Sequence, residues 1–113
     1  MSLRAEQFEK LIIRELSQFF AKEVEFPLEC LVTITRAKVS DDLKYATVWL
    51  SVLPEKFFPQ VLKIANQKIH DFERKLFKKM PTKFTPKINF KIDTGESLAD
   101  EVEKLIKEIK KED

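Results

Sequence analysis

Two β-rich segments separated by a short connection constrain the fold of this chain more than any other feature. Residues 31–39 (LVTITRAKV) and 45–53 (YATVWLSVL) are dominated by β-branched and other apolar side chains, which favour strands. Only residues 40–44 (SDDLK) lie between them. Parallel strands need a crossover of a dozen or more residues, so a connection this short leaves antiparallel pairing. The sequence therefore predicts a β-hairpin.

The apolar residues of the first segment change parity along its length. Val32 and Ile34 alternate on one side, whereas Ala37 and Val39 alternate on the other. A shift of this kind is typical of a β-bulge, here near Thr35–Arg36. A plain strand with two apolar faces would give the same pattern.

Asp41 and Asp42 in the connection allow three interpretations: a turn, a metal site or an acid–base pair. Adjacent residues in a turn point in different directions, which works against a shared metal or proton. The favoured interpretation is that these carboxylates accept hydrogen bonds from the turn backbone.

Hydrophobic periodicity predicts the other elements. Apolar side chains recur at three- and four-residue steps in 3–22, 59–80 and 97–111, which is typical of amphipathic helices. Residues 87–92 alternate strictly between apolar and polar, which predicts a third strand with one buried face.

The predicted order is therefore α-β-β-α-β-α, an α+β fold in a single domain, since 113 residues are enough for one core. A helix between the second and third strands makes parallel pairing of those strands the expected arrangement. The result is a three-stranded sheet with helices packed on one face.

The composition excludes several classes of function. One histidine and one cysteine cannot form a His/Cys zinc site, and one glycine cannot form a phosphate loop. Cys30 has no second cysteine to pair with, which predicts an inert thiol and suits a cytoplasmic location. No apolar run is long enough to span a bilayer. We therefore expect no enzyme activity, no metal, no cofactor and no membrane association.

Positive charge is concentrated in one quarter of the chain. The formal net charge is +2, but residues 59–87 hold eight Lys/Arg against two Asp/Glu. A solvated helix face usually mixes both signs, so this excess favours an anionic partner.

The basic segment is predicted to bind the phosphates of a nucleic acid, with an ordinary solvated face as the alternative. At helical spacing Lys63, Gln67, His70, Arg74 and Lys78 share one polar face. The predicted nucleic-acid-binding residues, which include two on the first strand, are Arg36, Lys38, Lys63, Lys68, His70, Arg74, Lys75, Lys78, Lys79, Lys83 and Lys87.

Trp49 shares strand parity with Tyr45 and Thr47, opposite the predicted core face. Its ring is a candidate for stacking on bases. Packing on the second sheet face beneath a terminal helix is favoured instead, because one Trp and one Tyr make a poor stacking platform.

The hairpin resembles that of the bacterial ribosome-binding factor A family. The family motif runs Val-Ser-x-Asp-Leu-x-x-Ala-x-Val, and its residues here are Val39, Ser40, Asp42, Leu43, Ala46 and Val48. The likeness extends over residues 4–95. It includes Arg4, Ile13 and Leu16 in the first helix and, downstream, Leu62, Ala65, Ile69, Leu76, Pro86, Ile88, Phe90 and Asp93.

That resemblance implies a type II KH-like fold, α-β-β-α-kink-α-β, as an RNA-binding domain over residues 1–95. Residues 96–113 would then be an additional C-terminal helix. The family carries an Ala-x-Gly triplet at the interhelical kink. Here Ala65, Asn66 and Gln67 hold that position, so the glycine is missing, and His70 replaces the arginine that usually follows.

The resemblance also implies binding to the small ribosomal subunit and its rRNA, in support of late subunit maturation, notably in the cold. Ribosomal proteins and an assembly GTPase are the further partners it implies, and a monomer is expected. KH domains grip single-stranded RNA with a Gly-x-x-Gly loop, which this chain lacks. Two alternatives stay open: a protein–protein adaptor that uses its acidic first and last helices, and a general RNA-binding module.

Overall fold

The hairpin forms where the two β-rich segments lie, within a computed structural model that describes residues 3–80 and 85–93. Helix α1 precedes the hairpin, and two helices separate it from the third strand. The elements in chain order are α1 (Leu3–Glu23), β1 (Leu31–Val39), β2 (Tyr45–Leu53), a short 3-10 helix (Glu55–Phe57), α2 (Phe58–Gln67), α3 (Ile69–Lys79) and β3 (Lys87–Ile92).

This order confirms the predicted α+β class. The helix expected over 59–80 begins one residue earlier and is divided into α2 and α3, in agreement with the interhelical kink that the family resemblance implied. The helix expected over 97–111, and with it the division of the chain at residue 96, lies outside the described residues.

The β-bulge in β1 is confirmed at Thr35. Ile34 pairs with Leu50 and Arg36 pairs with Trp49, so the register shifts by one residue and no residue of β2 lies opposite Thr35 in the pairing. A one-residue shift turns the following side chains to the opposite face. The bulge thereby brings Ala37 and Val39, both buried, onto the same side of the sheet as the half-buried Val32 and Ile34.

Thr35 also joins the two edge strands across the central one. Its hydroxyl lies 2.8 Å from Oδ2 of Asp93, just after β3, and 3.3 Å from the carbonyl oxygen of Trp49 in β2. The Asp93 N–H donates to the Leu50 carbonyl at 2.8 Å, which extends the parallel ladder by one bond. The bulge residue thus ties the middle of β1 to the middle of β2 and to the end of β3.

The sheet has the order β1-β2-β3, with β1 antiparallel and β3 parallel to the central β2. The parallel register runs from Tyr45 opposite Lys87 to Leu50 opposite Ile92. The predicted crossover is therefore confirmed, and the chain between β2 and β3 is long enough to cross the sheet because it contains both helices.

A single core lies between the sheet and the helices. Phe19 of α1 and Phe72 of α3 touch, with ring centroids 5.4 Å apart, and the Val39 N–H donates to Glu9 Oε1 of α1 at 3.0 Å. Each large side chain removed from water here contributes roughly 1.5–3 kcal/mol. The largest fully buried side chains are Phe72, Ile12, Leu16, Leu50, Leu76, Val48, Val52, Val61 and Pro86.

Trp49 points to the opposite sheet face and is nevertheless buried, with 4% of its surface exposed. The Arg36 guanidinium lies 3.9 Å from the Trp49 ring centroid, and Lys91 Nζ lies 6.0 Å from it. A cation over an indole face is attracted by the ring quadrupole. Trp49 is thus a packed residue, and the interpretation that its ring stacks on bases is wrong.

The hairpin turn is organised by Ser40 and Asp42. The Ser40 hydroxyl donates to Asp42 Oδ1 at 2.6 Å and accepts the Tyr45 N–H at 3.1 Å. The Lys44 N–H donates to the same carboxylate oxygen at 3.0 Å. These two bonds, the one from Ser40 first, hold the pKa of Asp42 below its ordinary value. The predicted backbone role is therefore confirmed for Asp42.

Asp41 differs from its neighbour, because within residues 3–80 and 85–93 its side chain has no hydrogen bond. The turn also contains Leu43 at φ 63°, a left-handed conformation that costs a leucine roughly 1–2 kcal/mol. The Leu43 side chain packs against the core, which offsets that cost.

Two phenylalanines on α3 give a matched test of the core. Phe72 is 1% exposed and Phe77 is 46% exposed. Phe72→Ala should lower the free energy of unfolding by about 3–5 kcal/mol because it empties a packed site. Phe77→Ala should change it by less than about 1 kcal/mol. Urea denaturation checks both, and similar losses for the two variants would contradict the placement of α3.

The lowered pKa of Asp42 predicts a specific pH dependence. A carboxyl whose folded pKa is depressed stabilises the protein fully above its unfolded pKa, about 4, and loses that contribution as pH falls through the folded value. The stability difference between the wild type and Asp42→Asn should therefore be constant near neutral pH and shrink below about pH 4. Asp41→Asn is the matched control. Thermal unfolding at several pH values measures both, and equal effects of the two variants would refute the turn assignment.

Candidate nucleic-acid interface

The basic segment is built on two helices because the chain breaks at Lys68. Its φ and ψ are −102° and 1°, and its N–H donates back to the Ala65 carbonyl at 3.2 Å, which closes α2. The Phe72 N–H then donates to the Lys68 carbonyl at 3.1 Å and begins α3. A negative φ near ψ 0° is open to residues other than glycine. Ala65, Asn66 and Gln67 thus form the last turn of α2, and the break follows without a glycine.

Helix α3 presents four kinds of side chain around its circumference. Phe72 and Leu76 face the core, and Lys75 and Lys79 face α1. Glu73 faces β3, where its Oε2 accepts the Ile88 N–H at 3.3 Å. The outward face, exposed to solvent, carries His70, Arg74 and Lys78.

Three of the predicted cations are engaged by carboxylates. Lys75 forms an ion pair with Glu23 of α1, and Arg74 forms one with Asp71 on its own helix. Lys79 Nζ lies 3.1 Å from Glu15 Oε2, also on α1. A groove of about 410 Å³ lies between α1 and α3 and is lined by both inter-helix pairs. Acidic α1 therefore neutralises the flank of α3 that faces it.

Lys63, Lys68 and Lys78 remain exposed, and in the described part of the chain no carboxylate lies within 4.0 Å of their ammonium groups. They are spaced along α2, the helix break and the second half of α3. Unpaired ammonium groups carry the positive field of a surface, since a paired charge is largely cancelled at a distance. By this criterion these three lysines are the phosphate-binding candidates on the helices.

The rest of the predicted set lies elsewhere. Arg36, Lys38 and Lys87 are on the sheet face opposite the helices, where Arg36 covers Trp49. Lys91 joins them, and the strict alternation of β3 could have identified it beside Lys87. Lys83 is outside the described residues. The predicted residues therefore form two basic surfaces rather than one.

His70 is held in place by a carboxylate. Its Nδ1 lies 3.1 Å from Glu73 Oε1, while the other oxygen of Glu73 accepts the Ile88 N–H. Through Glu73 the imidazole is thus linked to β3 as well as to its own helix, α3. Its second nitrogen is left to face the outward surface.

The lone cysteine is poorly suited to act as a nucleophile. Cys30 Sγ donates to the Pro27 carbonyl at 3.3 Å, and burial together with the Glu29 charge raises the pKa of its thiol. A raised pKa disfavours the thiolate that a nucleophile needs. Among residues 3–80 and 85–93 no cluster of His, Cys, Asp or Glu could hold a metal ion.

No helix in the described part of the chain combines the length and the apolar character needed to cross a bilayer.

Comparison with known proteins gives a consistent result. The sequence model of the family described as Ribosome-binding factor A matches residues 4–106. The chain is 30% identical to Ribosome-binding factor A of Fusobacterium nucleatum, over 95% of this chain and 96% of the relative. It is 27% identical to that of Akkermansia muciniphila, over 98% of this chain and 88% of the relative.

A solved structure shares the fold. The solution NMR structure of a Thermotoga maritima protein, described as a candidate ribosome binding factor A, superimposes with a TM-score of 0.70 at 26% sequence identity. The match covers 84% of this chain and 92% of that one.

The inter-helix pairs predict that α1 weakens phosphate binding by α3. Glu15→Gln with Glu23→Gln should free Lys79 and Lys75 and raise the affinity for RNA several-fold at low salt. The Lys75–Glu23 pair is solvent-exposed and contributes only about 0–1 kcal/mol, and glutamine keeps the shape of the half-buried Glu15, so folding should survive the change. Fluorescence anisotropy with a labelled RNA measures the affinity.

The matched control removes the same charge without touching α3. Glu25 and Glu29 are exposed carboxylates between α1 and β1, and they form no ion pair with a residue of α3 in the described structure. An equal gain from Glu25→Gln with Glu29→Gln would mean that overall charge, not release of these lysines, sets the affinity.

Proposed function

Because this chain belongs to the ribosome-binding factor A family, we propose that it binds the small ribosomal subunit through its rRNA and assists late maturation of that subunit. Family membership rests on the model match over residues 4–106 and on relatives that align along nearly the whole chain. It supports a ribosome-associated function. The subunit, the RNA contact and the stage of assembly are our proposal.

One observation carries the RNA contact: the unpaired lysines of α2 and α3. Lys63 is exposed on α2, Lys68 at the helix break and Lys78 on α3, where Arg74 is exposed as well. Lysines at such spacing neutralise successive phosphates and release the counterions condensed on RNA.

Recognition by shape and charge follows from what the chain lacks. Its one glycine, Gly95, cannot supply a Gly-x-x-Gly loop, the device with which KH domains hold single-stranded RNA. Backbone contacts position a protein but do not read bases. Specificity for the small subunit would then come from the fold of its rRNA and from neighbouring ribosomal proteins.

The proposed role is that of a binding factor rather than a catalyst. In this role the protein acts in the cytoplasm as a monomer, holds an rRNA junction in an immature arrangement, and is released as assembly ends. An assembly GTPase is a fitting partner for that release, and growth in the cold is the condition under which slow RNA rearrangement makes the role most important.

The adaptor alternative loses part of its basis. It required the acidic side chains of α1 as a free binding surface, but Glu15 and Glu23 are engaged by lysines of α3. The sheet face that carries Lys38 and Lys87 is a second basic surface, and the experiment below separates the two.

Charge reversal on each basic surface tests the proposal. Arg74→Glu with Lys78→Glu should weaken binding to isolated small subunits by at least about tenfold near 0.1 M salt and reduce the salt slope by about two. Lys38→Glu with Lys87→Glu makes the same charge change on the sheet face and should have a much smaller effect. Co-sedimentation across a salt series measures both.

Three results would count against the proposal. Undiminished binding by the α3 double variant would exclude the helical surface. Equal binding to large subunits would leave only a general RNA-binding module. Binding that does not weaken as the salt concentration rises would favour a protein partner instead.

A further inference from the structure

Phe77 is an exposed aromatic ring in the middle of the basic surface. It is 46% exposed, and it follows Leu76, which is fully buried. The other large hydrophobic side chains exposed in the described part of the chain are Leu3, Leu28, Leu31, Tyr45 and Leu53. None of these is on α2 or α3, so Phe77 is the one that lies among the cations of α3.

Helical geometry explains its position. Residues three, four and seven apart share a helix face, so Phe77 lies on the same side of α3 as Arg74 and His70. The core stripe passes through Phe72 and Leu76, and a residue one position later is turned away from it. Phe77 therefore cannot join the core while α3 stays packed.

The ring forms part of a shallow hollow of about 630 Å³. Arg74, Lys78 and His70 line it together with Phe77, and Glu73 and Thr85 close the side toward β3. An apolar ring bordered by cations fits a ligand with an aromatic face and adjoining negative charge. A nucleotide with an unpaired base has both.

We propose that Phe77 stacks on an unpaired nucleobase of the bound RNA while Lys78 and Arg74 contact the adjoining phosphates. The inference rests on the proposed function, which it deepens by adding a single-stranded nucleotide to the phosphate contacts. Lys78 favours a nucleotide as the occupant for two reasons. It follows Phe77 directly in the chain, and its ammonium group has no carboxylate partner in the described structure. Every base has a π face, so the stack recognises an unpaired nucleotide without selecting its identity.

The test compares three substitutions of Phe77 in the full chain. The probes are a short single-stranded adenine oligonucleotide with one 2-aminopurine, and an RNA duplex of the same length. Phe77→Ala should weaken single-strand binding roughly five- to a hundredfold and leave duplex binding unchanged. Phe77→Trp should retain it. Phe77→Leu, which keeps apolar surface without a ring, should resemble Phe77→Ala.

A spectroscopic readout detects the stack itself. 2-Aminopurine fluorescence should be quenched on binding to the wild type and to Phe77→Trp, but not to Phe77→Leu. Tyr45→Ala is the control, since Tyr45 is another exposed aromatic residue, on the hairpin and away from α3. A thermal unfolding midpoint near that of the wild type establishes that each variant is folded. If Phe77→Ala does not fold, the comparison of Phe77→Leu with Phe77→Trp carries the test.

The outcomes separate this inference from the proposed function. Single-strand affinity that survives both Phe77→Ala and Phe77→Leu overturns the stack, while the loss caused by Arg74→Glu with Lys78→Glu would still support the phosphate contact. A different pattern would point to an apolar contact with a ribosomal protein. In that pattern Phe77→Ala loses subunit binding, Phe77→Leu keeps it, and the RNA affinity of both variants is unchanged, which overturns the stack.

Discussion

The parallel pairing of β3 with β2 is the constraint on which the rest of this structure depends. Two parallel neighbours cannot be joined by a turn, so the chain must return along the sheet before it can pair again. Helices α2 and α3 are that return path, and the buried face of the sheet requires them to pack with Val61, Phe72 and Leu76 inward. Their remaining surface is consequently turned to solvent, and this is where the chain concentrates its lysines. Topology thus determines where the phosphate-binding surface can be.

Because α1 and α3 pack side by side on one face of the sheet, the lysines of α3 are also not equivalent: some pair with carboxylates and others do not. Glu15 and Glu23 of α1 engage Lys79 and Lys75, whereas Lys78 forms no ion pair with α1 in the described structure. A count of charges along the sequence treats all three lysines alike. Their environments differ because α3 lies beside α1, so one flank faces carboxylates and the outward face does not. The surface proposed to bind RNA is therefore narrower than the basic segment.

The hairpin, the bulge at Thr35 and the parallel third strand could be predicted from the sequence because each depends on local periodicity or on the length of a connection. Other features depend on contacts between distant residues. The pairs from α3 to α1, and the guanidinium of Arg36 over Trp49, need the folded chain to exist first. No proline or glycine marks the break at Lys68, which was indicated by Asn66, a weak helix former, and by the family resemblance. Phe77 escaped notice because one aromatic residue off the core stripe does not disturb the helical pattern.

The carboxylates of α1 have a consequence for selectivity. A ligand that reaches Lys75 or Lys79 must outcompete an anion already in place, so isolated phosphates gain little there. Only a ligand that presents several phosphates close together, as a folded RNA junction does, can displace both carboxylates at once. In the proposed function the carboxylates of α1 act as a threshold: they disfavour extended RNA, whose phosphates lie farther apart, and reserve the full basic surface for compact RNA. Under the same proposal, when that RNA rearranges and its phosphates spread apart, the carboxylates recover their lysines and favour release.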